Sequence, residues 1–140
     1  MLIKTKLFGN GKLPEYKTKG AACADCYARL EAAKIKIPMG SNCVINLGFG
    51  LELPEGYEAV IRPRSGLSKD VLAVEGTIDC DYRGEIKARL YNYSQGDFIV
   101  KNGDRICQMK IQKAEQFEFV AVDELSETER GTKGFGSTGK

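Results

Sequence analysis

Apolar and charged residues take strict turns in Glu85-Ile86-Lys87-Ala88-Arg89-Leu90, the period of a half-buried β-strand. The same period runs through Leu51-Glu52-Leu53, through Glu58 to Arg62, and through Phe117 to Ala121. Arg105 to Gln112 offers two faces, Ile106, Gln108, Lys110 and Gln112 on one and Cys107, Met109 and Ile111 on the other. Turn residues fall between these runs at short spacing: Gly9-Asn10-Gly11, Pro38-Met39-Gly40, Pro54-Glu55-Gly56, Arg83-Gly84, Ser94 to Asp97 and Asn102-Gly103-Asp104. Many short strands with regular punctuation predict an all-β sandwich or barrel. One short helix is expected, around Ser65 to Leu72. Long helices do not alternate with strands, which argues against a parallel α/β sheet.

The final segment changes character. Asp123 to Glu129 is acidic, and Arg130 to Lys140 is glycine-rich with Phe135 as its one large apolar residue. Such a composition adds nothing to a core and should be mobile alone. The chain therefore divides into a β domain over 1–122 and a linker with a C-terminal arm over 123–140. At 140 residues there is room for one core only. A net charge of +2 is too small to argue for stable nucleic-acid binding, and no apolar run is long enough to span a bilayer as a helix. The opening residues hold no stretch suited to a secretory signal, so the cytoplasm is the expected compartment.

Five scattered cysteines suit free thiols better than a disulfide framework. Cys23-Ala24-Asp25-Cys26 is a CxxC, but a tetrahedral zinc site needs further ligands, and there is no histidine and no second CxxC. Without histidine, Ser-His-Asp and Cys-His catalysis are excluded. Acid–base chemistry must come from carboxylates, lysine, tyrosine or cysteine.

Four local features could carry chemistry. Pro63-Arg64-Ser65-Gly66-Leu67-Ser68 combines a guanidinium, hydroxyls and a glycine, a set that can hold phosphate; the plainer reading is a strand end followed by a capped turn. Gly76 to Glu85 reads as a strand, a turn over Asp81 to Gly84 and a returning strand. Asp81 and Gly84 suit the turn, whereas Asp79 follows Ile78 within the expected strand, where a carboxylate needs a partner or a role. Gly103 to Gln108 puts the Gln108 amide mid-strand on the face of Ile106, although taken alone simple alternation is the better explanation. In the arm, glycines and hydroxyls around Arg130 and Lys133 suit a polyphosphate, and Phe135 offers a flat face to a base, which together suggest a closing lid rather than a linker.

Taken in order, five segments resemble the motifs of the trimeric dUTPase family: Ala22 to Ala28, Pro63 to Ser68, Gly76 to Glu85, Gly103 to Gln108 and Arg130 to Gly139. The resemblance covers nearly the whole chain. It implies a jelly-roll-like β fold, a homotrimer with sites shared between subunits, and Mg²⁺-assisted hydrolysis of dUTP to dUMP and pyrophosphate. That activity keeps uracil out of DNA and supplies dUMP for dTMP synthesis. By motif, Asp79 would activate the water that attacks the α-phosphorus, and Tyr82 would lie under the deoxyribose and exclude a 2′-hydroxyl. Backbone groups around Ala73, Thr77, Ile78 and Lys87 would read uracil, and Arg64, Ser65, Gly66 and Gln108 would hold phosphates. Arg130 would meet the γ-phosphate, Phe135 with Gly136 would cover the base, and Asp25 would act on magnesium through water.

Elementary chemistry agrees with those roles. Uracil presents an acceptor–donor–acceptor edge that hairpin backbone can match, while cytosine would leave buried groups unpaired. Attack at phosphorus needs charge neutralisation more than covalent help. Mg²⁺ held mainly by the substrate's own phosphates would need no cluster of protein ligands.

The chain departs from the family pattern at two places. Cys23 stands where glycine is usual, beside Asp25, and Lys133 replaces a glycine of the arm motif. The related dCTP deaminases carry a catalytic glutamate three residues before the asparagine that matches Asn92; here that position is Arg89. Deamination therefore lacks its acid–base group. A non-catalytic binding protein on the same scaffold would be free to lose Asp79, Gln108, Arg130 or Phe135, and this chain keeps all four.

Overall fold

The alternating run predicted around residues 85–90 forms a strand whose odd positions are open and whose even positions, Ala88, Leu90 and Asn92, are buried. It is one of eleven strands in a computed structural model that describes residues 1–134. In chain order these are β1 (Lys4–Leu7), β2 (Ala24–Tyr27), β3 (Lys34–Ile37), β4 (Asn42–Asn46), β5 (Phe49–Glu52), β6 (Tyr57–Arg62), β7 (Val71–Ala73), β8 (Gly76–Ile78), β9 (Lys87–Asn92), β10 (Phe98–Lys101) and β11 (Arg105–Lys113). No helix long and apolar enough to cross a membrane occurs among the described residues. The all-β expectation holds.

All pairings are antiparallel. A four-stranded sheet runs β2-β11-β6-β8, a three-stranded sheet β4-β9-β7, and two ribbons pair β1 with β5 and β3 with β10. One apolar core takes side chains from all of them: Cys26, Ile61 and Met109 from the first sheet, Ile45, Leu90 and Val71 from the second, Phe49, Ile37 and Val100 from the ribbons. Burying such a side chain is worth about 1.5–3 kcal/mol, so the core rather than any local propensity holds these short strands. Asn92 is the polar exception in the interior. Its amide nitrogen donates to the carbonyls of Ile37 and Gly96, and its oxygen accepts from the Ser94 amide and hydroxyl, which leaves no group unpaired.

Several expectations require correction. Ser65 to Leu72 is not a helix. Leu67 and Ser68 amides both bond the Arg64 carbonyl and Val71 bonds Leu67, giving tight turns that run straight into β7. The Ser68 hydroxyl donates to the Ser65 carbonyl instead of capping a helix. Phe117 to Ala121 alternates like a strand yet pairs with no strand among the described residues; Phe117 is 72% exposed and Phe119 97%. Alternation supplies a face, but a strand also needs a neighbouring edge to bond.

The expected hairpin over Gly76 to Glu85 is a crossover between sheets. β8 pairs with β6, whereas the returning β9 pairs with β4 and β7. In β11 the register shifts between Arg105 and Cys107, a bulge that turns both Ile106 and Cys107 into the core. Ile106 therefore does not share the half-buried environment of Gln108. Val60, expected opposite the core face of β6, is buried as well.

Candidate active site

The crossover from β8 to β9 encloses a pocket of about 250 Å³ lined by Thr77, Ile78, Asp79, Tyr82, Glu85, Ile86 and Lys87. Asp79 falls just past the end of β8 and is exposed, so solvent satisfies its carboxylate and burial cannot be the argument for a role. Its backbone carbonyl instead starts the turn by accepting the Tyr82 amide at 3.2 Å. Among the described residues no hydrogen bond or ion pair engages its carboxylate, which is free to act at the rim. The Tyr82 hydroxyl donates to the Glu85 carbonyl at 3.0 Å. A Cβ on Gly84 would stand 2.3 Å from the Tyr82 hydroxyl oxygen, so only glycine lets the ring fold back there. Ala73 is buried in β7 opposite Leu90 and does not line this pocket.

A second cluster gathers where β2, β11 and the end of β6 meet. Asp25 is 9% exposed and lies opposite Gln108 in the β2–β11 register. Its two carboxylate oxygens accept from different arginines, Oδ1 from Arg64 Nε at 3.1 Å and Oδ2 from Arg105 Nη1 at 3.0 Å. Arg64 Nη1 also donates to the Arg105 carbonyl at 2.9 Å. The Gln108 amide nitrogen donates to the Pro63 carbonyl at 2.8 Å, tying β11 to the turn that carries Arg64, Ser65 and Gly66. Ser65 and Gly66 are exposed on that turn. Beside the cluster lies a pocket of about 350 Å³ lined by Arg64, Leu67, Phe98, Asp104, Arg105 and Ile106. Two arginines in one lining suit a polyanion, beside the acidic Asp104.

No residue lines both pockets. The described residues of the arm line neither: Arg130 is exposed, and its Nε donates to the Lys133 carbonyl at 2.9 Å. Phe135 and Gly136 lie outside the described residues.

A family model for dUTPase matches residues 9–139. This chain belongs to the dUTPase family. The Treponema denticola deoxyuridine 5′-triphosphate nucleotidohydrolase is 49% identical over 143 residues, covering 99% of each chain. Among solved structures, the dUTPase of Staphylococcus bacteriophage 80alpha with dUPNHPP superposes with a TM-score of 0.91 at 25% identity, over 99% of each chain. A variant dUTPase of the Staphylococcus aureus phage phi11, described for its coordination of a structural Mg(II) ion, shares the fold, with a TM-score of 0.81 and 20% identity over 89% of this chain and 98% of its own. As a dUTPase, the chain is an enzyme that hydrolyses dUTP.

Two residues of this dUTPase's clusters escaped the sequence reading. Arg105 lies within a motif but alternation gave it no more meaning than any strand-edge cation; the signal that finds it is the bulge at Ile106, visible only in the register. Arg29, outside every motif, pairs with Glu85 through two bonds of 2.6 and 2.9 Å. That hydrogen bonding, outweighing desolvation, holds the Glu85 carboxyl below the usual carboxylate range. Both cysteines of the CxxC are free thiols, and among the described residues no group of three or more His, Cys, Asp or Glu side chains could hold a metal. Cys26 is buried against Cys107 of β11, whose hydrogen bond together with burial pushes the Cys26 thiol well up, the state of an inert structural cysteine.

Proposed function

We propose that this dUTPase cleaves dUTP between the α- and β-phosphates, releasing dUMP and pyrophosphate, with Asp79 as the base. The observation that carries the reading is the carboxylate of Asp79, without a partner among the described residues, at the rim of a pocket lined by Tyr82, Thr77 and Ile78. Uracil sits against the backbone of Thr77, Ile78 and Lys87 with the sugar over Tyr82; Ala73, paired within its sheet, contributes by supporting β9. Asp79 orients a water and takes its proton as the oxygen bonds the α-phosphorus; the bond to the bridging oxygen breaks, and its electron pair leaves on pyrophosphate. Arg64, Ser65, Gly66 and Gln108 hold the phosphates, and Arg130, Phe135 and Gly136 close over the nucleotide.

The donor set fits a magnesium ion that arrives on the nucleotide. Asp25 is a single carboxylate already shared between two arginines, and the described residues contain no group of three or more acidic, Cys or His side chains that could cage a metal. Such a centre suits Mg²⁺ held by phosphate oxygens, with Asp25 reached through water. When bound, the ion would neutralise phosphate charge during attack.

That the proposed sugar-facing and phosphate-facing pockets share no lining residue supports a homotrimer whose sites each draw on more than one subunit. The cellular role follows from the chemistry: removal of dUTP from the cytoplasmic pool keeps uracil out of DNA and yields dUMP for dTMP synthesis. Pyrophosphate release should be measured from dUTP, dCTP, dTTP and UTP with Mg²⁺, alongside mass by light scattering. Release from dUTP alone, by a particle of about three chain masses, is expected. Equal turnover of dCTP would overturn the uracil reading, and a fully active monomer the shared site.

A further inference from the structure

Tyr82 is 43% exposed, so burial does not fix the position of its ring. Two local restraints do: contact with Gly84 beneath it and the hydroxyl's bond to the Glu85 carbonyl. Both belong to the same short stretch of backbone. Whatever fixes that stretch therefore fixes the ring.

Beside the backbone bonds that join the adjacent Ile86 to Phe49 and Leu47, the Glu85 side chain fixes it. Its Oε1 accepts from Arg29 Nε at 2.6 Å and from the Gly48 amide at 3.0 Å, while Oε2 accepts from Arg29 Nη2 at 2.9 Å. The two ionic side chains are only 15% and 14% exposed. Arg29 is itself held, its amide bonded to the Asn46 carbonyl and its side chain passing between Gly9 and Gly48. A Cβ on Gly48 would come 3.1 Å from Arg29 Cδ, and one on Gly9 3.3 Å from Nη1, so walls without side chains let the guanidinium reach across. A bidentate pair of this kind sets direction as well as distance.

We propose that Arg29, acting through Glu85, is a specificity-positioning residue: the clamp sets the height of the Tyr82 ring and so the exclusion of a ribose 2′-hydroxyl. The inference rests on the reading that Tyr82 lies under the deoxyribose. Discrimination by contact needs the wall held to a fraction of an ångström, because a 2′-hydroxyl is smaller than a water molecule and a loose ring yields to it.

The experiment compares kcat/KM for dUTP and for UTP in the parent, Arg29→Met, Arg29→Lys, Tyr82→Phe and Tyr82→Ala. The ratio of the two constants is independent of how much of each preparation is folded, so a merely structural role for Arg29 would leave it unchanged. Arg29→Met should lower the dUTP/UTP ratio by roughly tenfold, within the about 10²-fold that ångström-scale misplacement can cost. Arg29→Lys keeps the charge without the fork and should recover part of the ratio. Tyr82→Phe removes only the bond to Glu85 at an exposed ring and should lower the ratio in the same sense, which tests the linkage even if Arg29→Met fails to fold. A lowered ratio in Tyr82→Ala with parental ratios in Arg29→Met and Tyr82→Phe would overturn the clamp. A parental ratio in Tyr82→Ala would instead overturn the sugar reading on which the clamp depends.

Discussion

The backbone carbonyl of Asp79 accepts the Tyr82 amide at 3.2 Å, so the two residues form one turn and face one pocket. Their side chains are nevertheless independent: the tyrosine is tied to Glu85, and no described residue holds the carboxylate. Asp79→Asn should leave the turn, the fold and nucleotide binding in place and lower kcat by about 10²–10⁴-fold, the typical worth of a positioned base. Steady-state turnover beside binding of a non-hydrolysable dUTP analogue checks this. Near-parental kcat would remove Asp79 from the reaction.

Asp25 stands between Arg64 and Arg105, and replacing it by asparagine leaves two guanidiniums facing each other across a weaker acceptor. The side chains are 12%, 22% and 44% exposed, so the loss should fall between about 1 kcal/mol for an exposed pair and about 3–5 kcal/mol for a buried one. A lowered urea midpoint at unchanged slope would report it. Combining Asp25→Asn with Arg105→Met should cost less than the sum of the two single changes, because the second removes the repulsion that the first creates. Strict additivity would mean that the triad is not coupled.

Glu85 gives stability a pH dependence of known sign. Its carboxyl is held low in the fold, chiefly by the hydrogen bond from Arg29, so between its folded and unfolded values the unfolded chain binds the extra proton. The contribution is complete above the unfolded value of about 4.3 and is lost as pH falls through the folded value. Glu85→Gln should therefore be less stable than the parent near neutrality, by roughly 1.5–3 kcal/mol for a hydrogen bond to a charged group, and the gap should close in acid. Paired denaturation curves at several pH values measure the gap directly; the exposed Glu15 and Glu52, present in both proteins, cancel from the difference. A gap independent of pH would deny the pair its role.

The strands of this dUTPase were legible wherever a single rule governed them. β9 alternates because one face meets the core and the other is open, and a period of two records that faithfully. The rule fails where pairing decides. Phe117 to Ala121 has the alternation but no edge to bond, and Gly76 to Glu85 has hairpin residues but sends its two strands to different sheets. The bulge at Ile106 moved a residue from one face to the other with no glycine or proline to announce it. Asp79, Tyr82, Arg64 and Gln108 could be named as candidates because each sits in a short contiguous motif. Arg29 was missed because its partner is 56 positions away, a distance at which only the folded chain connects them.

The arm supplies the last test. Residues 123–134 are exposed throughout, and the bonds of Arg130 and Gly131 run to Lys133 and Thr128 within the same segment. Nothing in the core depends on them. Deleting the chain after Glu129 should leave the denaturation midpoint unchanged, since the described residues it removes, 130–134, are all exposed. On the proposed closure turnover should nonetheless fall severely, because Arg130 and Phe135 go together, and with them the charge-assisted phosphate contact and the base stack of about 1–3 kcal/mol assigned to them. Phe135→Ala should be milder, as the charge contact survives. The comparison requires the same Mg²⁺ and saturating dUTP, so that kcat rather than affinity is read. Unfolding of the truncated protein would make the segment structural, and undiminished turnover would take the arm out of the active site.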